Sequence, residues 1–176
     1  MTYTYTYTTP AQFSDMIMNS DGENLTGLWF EGSKDSSKHK TNGEKKVLPI
    51  FRETCRWLDM YFSGKVPDFT PKYKINNLTP FRKEVSDIMN TIEYGKTLTY
   101  NDIAKMIAKS RGMAKMSAQA VGGAVGWNPI CIIIPCHRVV GANGNLTGYG
   151  GGLENKIELL KLEGIDVCYG GIRSCR

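Results

Sequence analysis

Ile130-Cys131-Ile132-Ile133-Ile134-Pro135-Cys136-His137-Arg138-Val139 is the stretch on which the reading of this chain turns. The apolar run predicts a buried strand, and Pro135, which fixes its own φ and has no N–H to give, stops that strand and presents Cys136 at its end. His137 is the side-chain type that exchanges a proton near neutral pH, and a thiol becomes a good nucleophile only as its thiolate. Two readings are open at this point. Cys136 is a nucleophile served by an imidazole, or it is a packed thiol at a strand end, since free cysteine is among the most buried residue types.

Working outward, Asn143-Gly144 after Val139-Val140 carries the signal of a tight hairpin, which would form a wing. Gly148-Tyr149-Gly150-Gly151-Gly152 predicts a loop where backbone comes close to a ligand or another segment. A helix over 153–163 follows, with Leu153, Ile157 and Leu160 on one face and Gly164 as its stop. Upstream, Thr99 caps a short amphipathic helix, a polar turn covers 109–115, and Ser117 caps a second helix of alanine and glycine. This is helix-turn-helix spacing. Gly122 and Gly123 each cost about 1 kcal/mol against alanine inside a helix. A helix of such small residues permits close approach, either of another protein element or of a nucleic-acid groove. Before it, Thr79 and Pro80 open a helix with Phe81, Val85, Ile88, Met89 and Ile92 on its apolar face and Gly95 as its close.

The first part of the chain reads as mixed α and β. Threonine and tyrosine alternate over 2–8, which predicts an edge strand; 16–19 and 25–30 are the next strands, with Asp21-Gly22 as a turn. A helix opens at Pro49, places Phe51, Cys55, Leu58 and Phe62 on a core stripe, and ends at Gly64. The lysine-rich run 33–46 has no apolar period and predicts a solvated loop with His39 exposed. Residues 64–78, with Pro67 and Pro71, read as an ordered connector.

Composition bounds the function classes. The 176 residues are 41% hydrophobic and 22% charged, as expected of a globular protein, with a net charge of +5 that tolerates a polyanion without requiring one. No stretch approaches the roughly 20 apolar residues of a membrane span, and the N-terminus lacks the basic start and apolar core of a signal peptide. Five cysteines without a repeating spacing argue against a disulfide framework or a zinc set, and for reduced thiols in the cytoplasm. Cys168 and Cys175 are the pair that could join if oxidised.

The pieces then converge. The span 97–164 resembles the O6-alkylguanine-DNA alkyltransferases. The resemblance is carried by Tyr100 behind its cap, Ala120-Val121-Gly122-Gly123-Ala124 ahead of Asn128-Pro129, Pro135-Cys136-His137-Arg138-Val139, Tyr149 with the glycines after it, and Glu163. Leu25-Thr26-Gly27-Leu28-Trp29-Phe30 resembles the family's N-terminal portion more weakly. The resemblance implies an α/β N-terminal domain of ribonuclease-H-like shape over 1–78, connector 64–78 included. It implies a mainly helical C-terminal domain of winged-helix, helix-turn-helix type over 79–176 that docks in the minor groove.

The implied activity is DNA repair. An alkyl group on guanine O6, or thymine O4, of double-stranded DNA would pass to Cys136 after the base is flipped out, because the stacked base is out of reach of a protein thiol. A thioether is not readily reversed, so each monomer would act once, without cofactor, metal or membrane. Within the resemblance Cys136 is the acceptor, His137 a base acting through a water, and Glu163 the carboxylate that orients His137. Asn128 holds the cysteine turn and Tyr100 donates toward guanine N3. The Val139 backbone reads the guanine edge, the Gly150 N–H faces O6, and Tyr149 and Cys131 flank the alkyl pocket. Ser117, Ala118, Gln119, Ala120, Gly122 and Arg138 are the expected DNA contacts.

Two departures stand out. Many relatives carry serine where this chain has Gly150; a backbone donor survives that change. Where the family often places an arginine finger, this chain has Gln119, which is shorter and uncharged. Weaker duplex binding follows, or a second wedge such as Arg111 or Lys115. The competing readings are a non-enzymatic alkylguanine sensor that recruits other repair proteins and a cysteine hydrolase built on Cys136, His137 and Glu163. Relatives of the sensor kind lack the cysteine, and hydrolases usually keep nucleophile and base apart in sequence.

Overall fold

The computed structural model describes residues 1–39, 42–168 and 170–172. Its first part is a four-stranded sheet of β1 (Tyr3–Tyr7), β2 (Met16–Ser20), β3 (Leu25–Phe30) and β4 (Glu44–Lys45), in the order β3-β2-β1-β4. β1–β2 and β2–β3 are antiparallel, and Asp21 closes the tight β2–β3 turn by accepting the N–H groups of Glu23 and Asn24. β1 is therefore not an edge strand: Glu44 and Lys45 pair in parallel with Tyr3 and Thr4.

Between β3 and β4 lies a short helix, α1 (Lys34–His39), in the run expected to be a solvated loop. Its side chains explain the correction. Asp35 and Ser36 are buried, Ser33 Oγ accepts the Ser36 N–H, and His39, expected in solvent, packs edge-on against Trp127. A polar composition hid a helix whose inward face is itself polar, tied down at the Ser36 N–H and Asp35 Oδ2, and so lacks an apolar period.

α2 (Pro49–Phe62) runs as expected, with Pro49 in its first turn and Gly64 at φ +79° beyond its end. Its buried face is Ile50, Phe51, Thr54, Trp57, Leu58 and Tyr61, so Cys55 and Phe62 lie at the margin rather than in the centre of the stripe. The connector 64–78 does not span open space; Tyr73 bridges to Leu25, flanked by hydrogen bonds from Leu25 N to Lys72 O and Lys74 N to Leu25 O.

The second part is built on α3 (Pro80–Met89), α4 (Tyr100–Ser110) and α5 (Ala118–Val125). Each start is set by the expected residue. Thr79 accepts the Arg82 N–H, Thr99 and Asp102 form a reciprocal capping box, and Ser117 accepts the Ala120 N–H. α3 ends at Met89, six residues before Gly95, because Asn90 caps it and a second turn follows. Buried apolar side chains of the sheet, α2 and α3–α5 form one connected cluster.

The apolar run 130–134 is not a strand. Ile130 bridges to Leu28 and Cys131 to Ile134 across a tight turn in which Ile132 takes φ +68°, and Cys136–Arg138 then form a single 3-10 turn. The Asn143-Gly144 turn is present, with both residues at positive φ, but it joins no hairpin among the described residues. Instead β6 (Val139–Val140) pairs in parallel with β5 (Leu98–Thr99), and Asn145 bridges to Gly171. α6 (Leu153–Leu162) buries Asn155, Lys156, Leu159 and Leu160 and leaves Leu153 exposed. β7 (Val167–Cys168) and β8 (Gly171–Ile172) form a small ribbon beyond it; the pairing considered for Cys168 involves Cys175, which lies outside the described residues. No described helix is long and apolar enough to cross a membrane.

Candidate active site

Two parts of the chain pin the cysteine turn. Leu28 of β3 donates to Pro129 O and accepts from Cys131 N, each at 2.8 Å, which ties the turn to the sheet. Asn128, almost fully buried, ties it to itself. Its Oδ1 accepts the Ile130 N–H at 3.0 Å, while its Nδ2 faces Ile134 O at 2.9 Å and Cys136 Sγ at 3.0 Å. The same amide thus shapes the turn and offers a donor to the sulfur.

Cys136 is 4% exposed. Burial alone would raise a thiol's pKa. Here hydrogen bonds from Cys131, then Asn128 and Tyr149, outweigh burial and the nearby Asp35 charge, and hold Cys136 below its ordinary value. Cys131 takes the opposite shift: the Cys136 sulfur beside it and complete burial keep it a thiol, whose one S–H has Cys136 and Asp35 Oδ2 as alternative acceptors. A cavity of about 40 Å³ opens at Cys136, with Asp35, Tyr100, Tyr149, Gly150 and Gly122 among its lining. Cys136 Sγ lies 4.0 Å from the Tyr149 hydroxyl.

The 3-10 turn carries His137 into the interior, fully buried, where its Nε2 meets Glu163 Oε1 at 2.7 Å. Glu163 caps the C-terminal end of α6 and is itself buried, not an exposed helix-end carboxylate. Tyr61 of α2 donates to Glu163 Oε1 at 2.6 Å, Arg138 Nε to Oε2 at 2.9 Å, and Gly95 N to Oε2 at 3.1 Å. Burial would push this carboxyl up; the hydrogen bonds and charges of His137 and Arg138 overcome it and bring it to about 2. Burial pulls His137 below its ordinary value despite Glu163. The pair is therefore a neutral imidazole beside a carboxylate whose counter-charge is Arg138. A carboxylate only accepts, so His137 Nε2 carries the hydrogen and Nδ1 holds the lone pair. Nδ1 makes no hydrogen bond to protein.

The structure brings Cys136, Tyr100, Tyr149 and Gly150 around one cavity, with Asn128 behind the sulfur, and pairs the buried His137 of the cysteine turn with Glu163 at the end of α6. Arg138, expected to contact DNA, is turned inward: only 12% of its side chain is exposed, and it binds Glu163 and Ile92 O. Val139 has little backbone to spare, since its N–H goes to Cys136 O and its carbonyl accepts Lys156 Nζ at 2.6 Å. That carbonyl keeps one lone pair for a second donor. Arg111, considered as a substitute wedge, is held by Glu84 at 2.6 Å, whereas Lys115 is exposed.

Three residues escaped sequence reasoning. Tyr61 sits on the apolar face of a helix far along the chain, and Asp35 in a polar run, and neither position carries a local signal. Lys156 could have been found, because a lysine on the inner face of α6, one turn and three residues before Glu163, breaks the apolar pattern. It is 1% exposed, and burial lowers its ammonium to about 8.

α5 presents a different surface. Ser117, Gln119, Ala120 and Gly123 are exposed. A Cβ on Gly123 would meet nothing within 4 Å, and one on Gly122 would touch only the Tyr100 ring at ordinary distance. No protein element demands these glycines, so the small-residue face is open.

Comparison with known proteins agrees with this geometry. Residues 80–165 match the 6-O-methylguanine DNA methyltransferase, DNA binding domain. The chain is 38% identical over 161 residues to a methylated-DNA–protein-cysteine methyltransferase of Haemophilus influenzae, covering 92% of this chain and 86% of that one. It is 50% identical over 114 residues to the protein of that name from Methanosarcina barkeri, covering 65% and 68%. The structure superposes on Mycobacterium tuberculosis OGT in complex with DNA with a TM-score of 0.75 at 35% identity, over 92% of each chain. With 38% identity across nearly the whole chain, and the cysteine turn built as described, this protein belongs to the methylated-DNA–protein-cysteine methyltransferase family.

Proposed function

We propose that this protein repairs DNA by moving an alkyl group from guanine O6, and thymine O4, of a duplex onto Cys136, once per molecule. The observation that carries the reading is the Cys136 thiol itself: buried, held below its ordinary pKa, and set at a cavity shared with Tyr100, Tyr149 and Gly150. In this reading the thiol proton leaves through a water to His137 Nδ1, the ring nitrogen without a protein partner. Glu163 accepts Nε2–H and stabilises the imidazolium that forms. The thiolate attacks the alkyl carbon, the C–O6 bond breaks, and its electron pair returns to the base. Tyr100, whose phenol is kept protonated by burial and by the Cys136 charge, donates toward guanine N3.

The open face of α5 supports groove entry, with Ser117, Ala118, Gln119, Ala120 and Gly122 along the nucleic acid. The capped α4–α5 pair supports a helix-turn-helix domain of winged-helix type over 79–176, and the mixed sheet with α2 supports a ribonuclease-H-like domain over 1–78. The protein acts as a cytoplasmic monomer on double-stranded DNA. The test is a time course with excess duplex carrying O6-methylguanine. Transfer should stop at one group per protein molecule; release of free alkyl product with continued turnover would replace this reading by a cysteine hydrolase, and tight binding without transfer would replace it by a sensor.

A further inference from the structure

Asp35 stands in the cavity at Cys136, although it comes from the first part of the chain. It is 3% exposed. Its backbone N–H is fixed to Gly150 O at 3.1 Å, so α1 and the glycine loop hold each other in register. Its Oδ2 receives the Cys131 thiol at 3.5 Å, while Oδ1 is buried without a hydrogen-bond partner and has Lys38 Nζ 3.7 Å away. The glycine at 150 is required by this carboxyl. A Cβ there would land 2.5 Å from Asp35 Cγ and 2.6 Å from Oδ2, and closer still to Oδ1. The Asp35 carboxyl thus fills the volume that a side chain on residue 150 would occupy, beside the reacting sulfur.

We propose that Asp35 is a substrate-contacting residue, a carboxylic acid that donates to the oxygen of the departing base. The inference rests on the alkyl-transfer reading above. The step balances. The thiolate sulfur bonds the alkyl carbon, the C–O6 bond breaks, and its electron pair passes to O6. The Asp35 O–H meets the charge on O6 as a hydrogen bond and keeps its proton, the base anion takes a proton from solvent as it departs, and His137 holds the proton from the thiol.

In this proposal Asp35 enters transfer in its acid form. A carboxylate and a thiolate in one dry cavity oppose each other's ionisation, and a neutral acid removes that conflict. Burial pushes the Asp35 carboxyl up, against the pull of Lys38 and Cys131. The ionisable groups that face it are Lys38, Cys131, Cys136 and Tyr149, and Tyr100 lines the same cavity. Lys38 is half-exposed and donates to Gly126 O at 3.0 Å, nearer than its 3.7 Å approach to the carboxyl.

The experiment is single-turnover transfer from an O6-methylguanine duplex, followed by the mass of the Cys136 peptide, across a pH series. Asp35→Ala should slow transfer at least about a hundredfold at saturating DNA, the lower end of what one positioned donor to a developing oxyanion supplies. Asp35→Asn, which keeps an N–H donor and the same shape, should stay within a few-fold and lack the fall in rate that the parent protein should show as pH rises through the Asp35 ionisation. Gly150→Ser alone should impair the protein, whereas Asp35→Ala with Gly150→Ser should recover transfer by placing a hydroxyl in the vacated volume. Asp35→Ala with Gly150→Ala, which fills the volume without a donor, should not. Parent-like transfer by Asp35→Ala, equal recovery by both double variants, or an Asp35→Asn profile with the parent's alkaline fall would each overturn the proposal. Should Asp35→Ala fail to fold, the Asp35→Asn profile decides alone. Failure of the parent protein to methylate Cys136 would instead sink the reading on which the proposal rests.

Discussion

Glu163→Gln removes one charge and almost no volume, and the structure says what that costs. Every partner of the carboxylate is a donor: Tyr61 and His137 on Oε1, Gly95 on Oε2, and Arg138 on both. An amide turned either way therefore points N–H groups at donors. The depression of the carboxyl from 4.5 to about 2 corresponds to about 3 kcal/mol of folding free energy. Breaking a buried ion pair while leaving Arg138 unpaired costs about 3–5 kcal/mol by general experience, so both routes give a similar figure. The sign of the pH dependence is fixed. Glu163 is a depressed acid, so its contribution is complete above about pH 4.5 and fades as pH falls toward 2. Denaturant unfolding of the parent and Glu163→Gln proteins at pH 7 should differ by about 3 kcal/mol, and the gap should narrow in acid. Transfer should slow as well, because His137 loses the group that stabilises its protonated form. A variant within about 1 kcal/mol of the parent at pH 7, with unchanged transfer, would refute the reasoning.

Other expectations follow from single contacts. Asn128→Ala strips partners from Ile130 N and Ile134 O inside the protein; unfolding should be easier by about 2 kcal/mol and transfer slower, checked by denaturant midpoint and single-turnover rate. Lys156 is a base held at about 8 in the folded state against 10.5 unfolded, so it destabilises the protein while charged. The parent should gain stability relative to Lys156→Met as pH rises from about 8 to 10.5, and parallel pH curves would contradict this. Gln119→Arg adds a cation to the exposed start of α5 and should tighten duplex binding with a steeper salt dependence, read by titration at two ionic strengths.

Helix starts were legible because they rest on local chemistry. The side-chain oxygens of Thr79, Thr99 and Ser117 each accept a backbone N–H of the turn that follows them, and no tertiary partner is needed. Strand relations were not legible in the same way. Whether the Tyr-Thr repeat lies at an edge depends on Glu44–Lys45 arriving from a run without pattern. The run 130–134 reads as a strand by composition, yet Ile132 at φ +68° folds it into a turn held by Asn128 and Leu28. The site divides likewise. Cys136 and His137 are readable from one motif, and Glu163 only from the family resemblance. Tyr61 and Asp35 reach the site only through packing of the first part of the chain against the second, which no local spacing encodes. Arg138 shows the converse: adjacent to the nucleophile and basic, it reads as a DNA contact until its burial against Glu163 is seen.

The central claim is that Cys136, among five cysteines, receives the alkyl group. One measurement tests it most directly: digestion of the protein after incubation with one equivalent of O6-methylguanine duplex, with the mass of every described cysteine-bearing peptide compared with a sample on unmodified DNA. The account predicts one added methyl group, on the Cys136 peptide alone. An unchanged Cys136 peptide at full DNA occupancy, or a methyl group on Cys131 in its place, would contradict it.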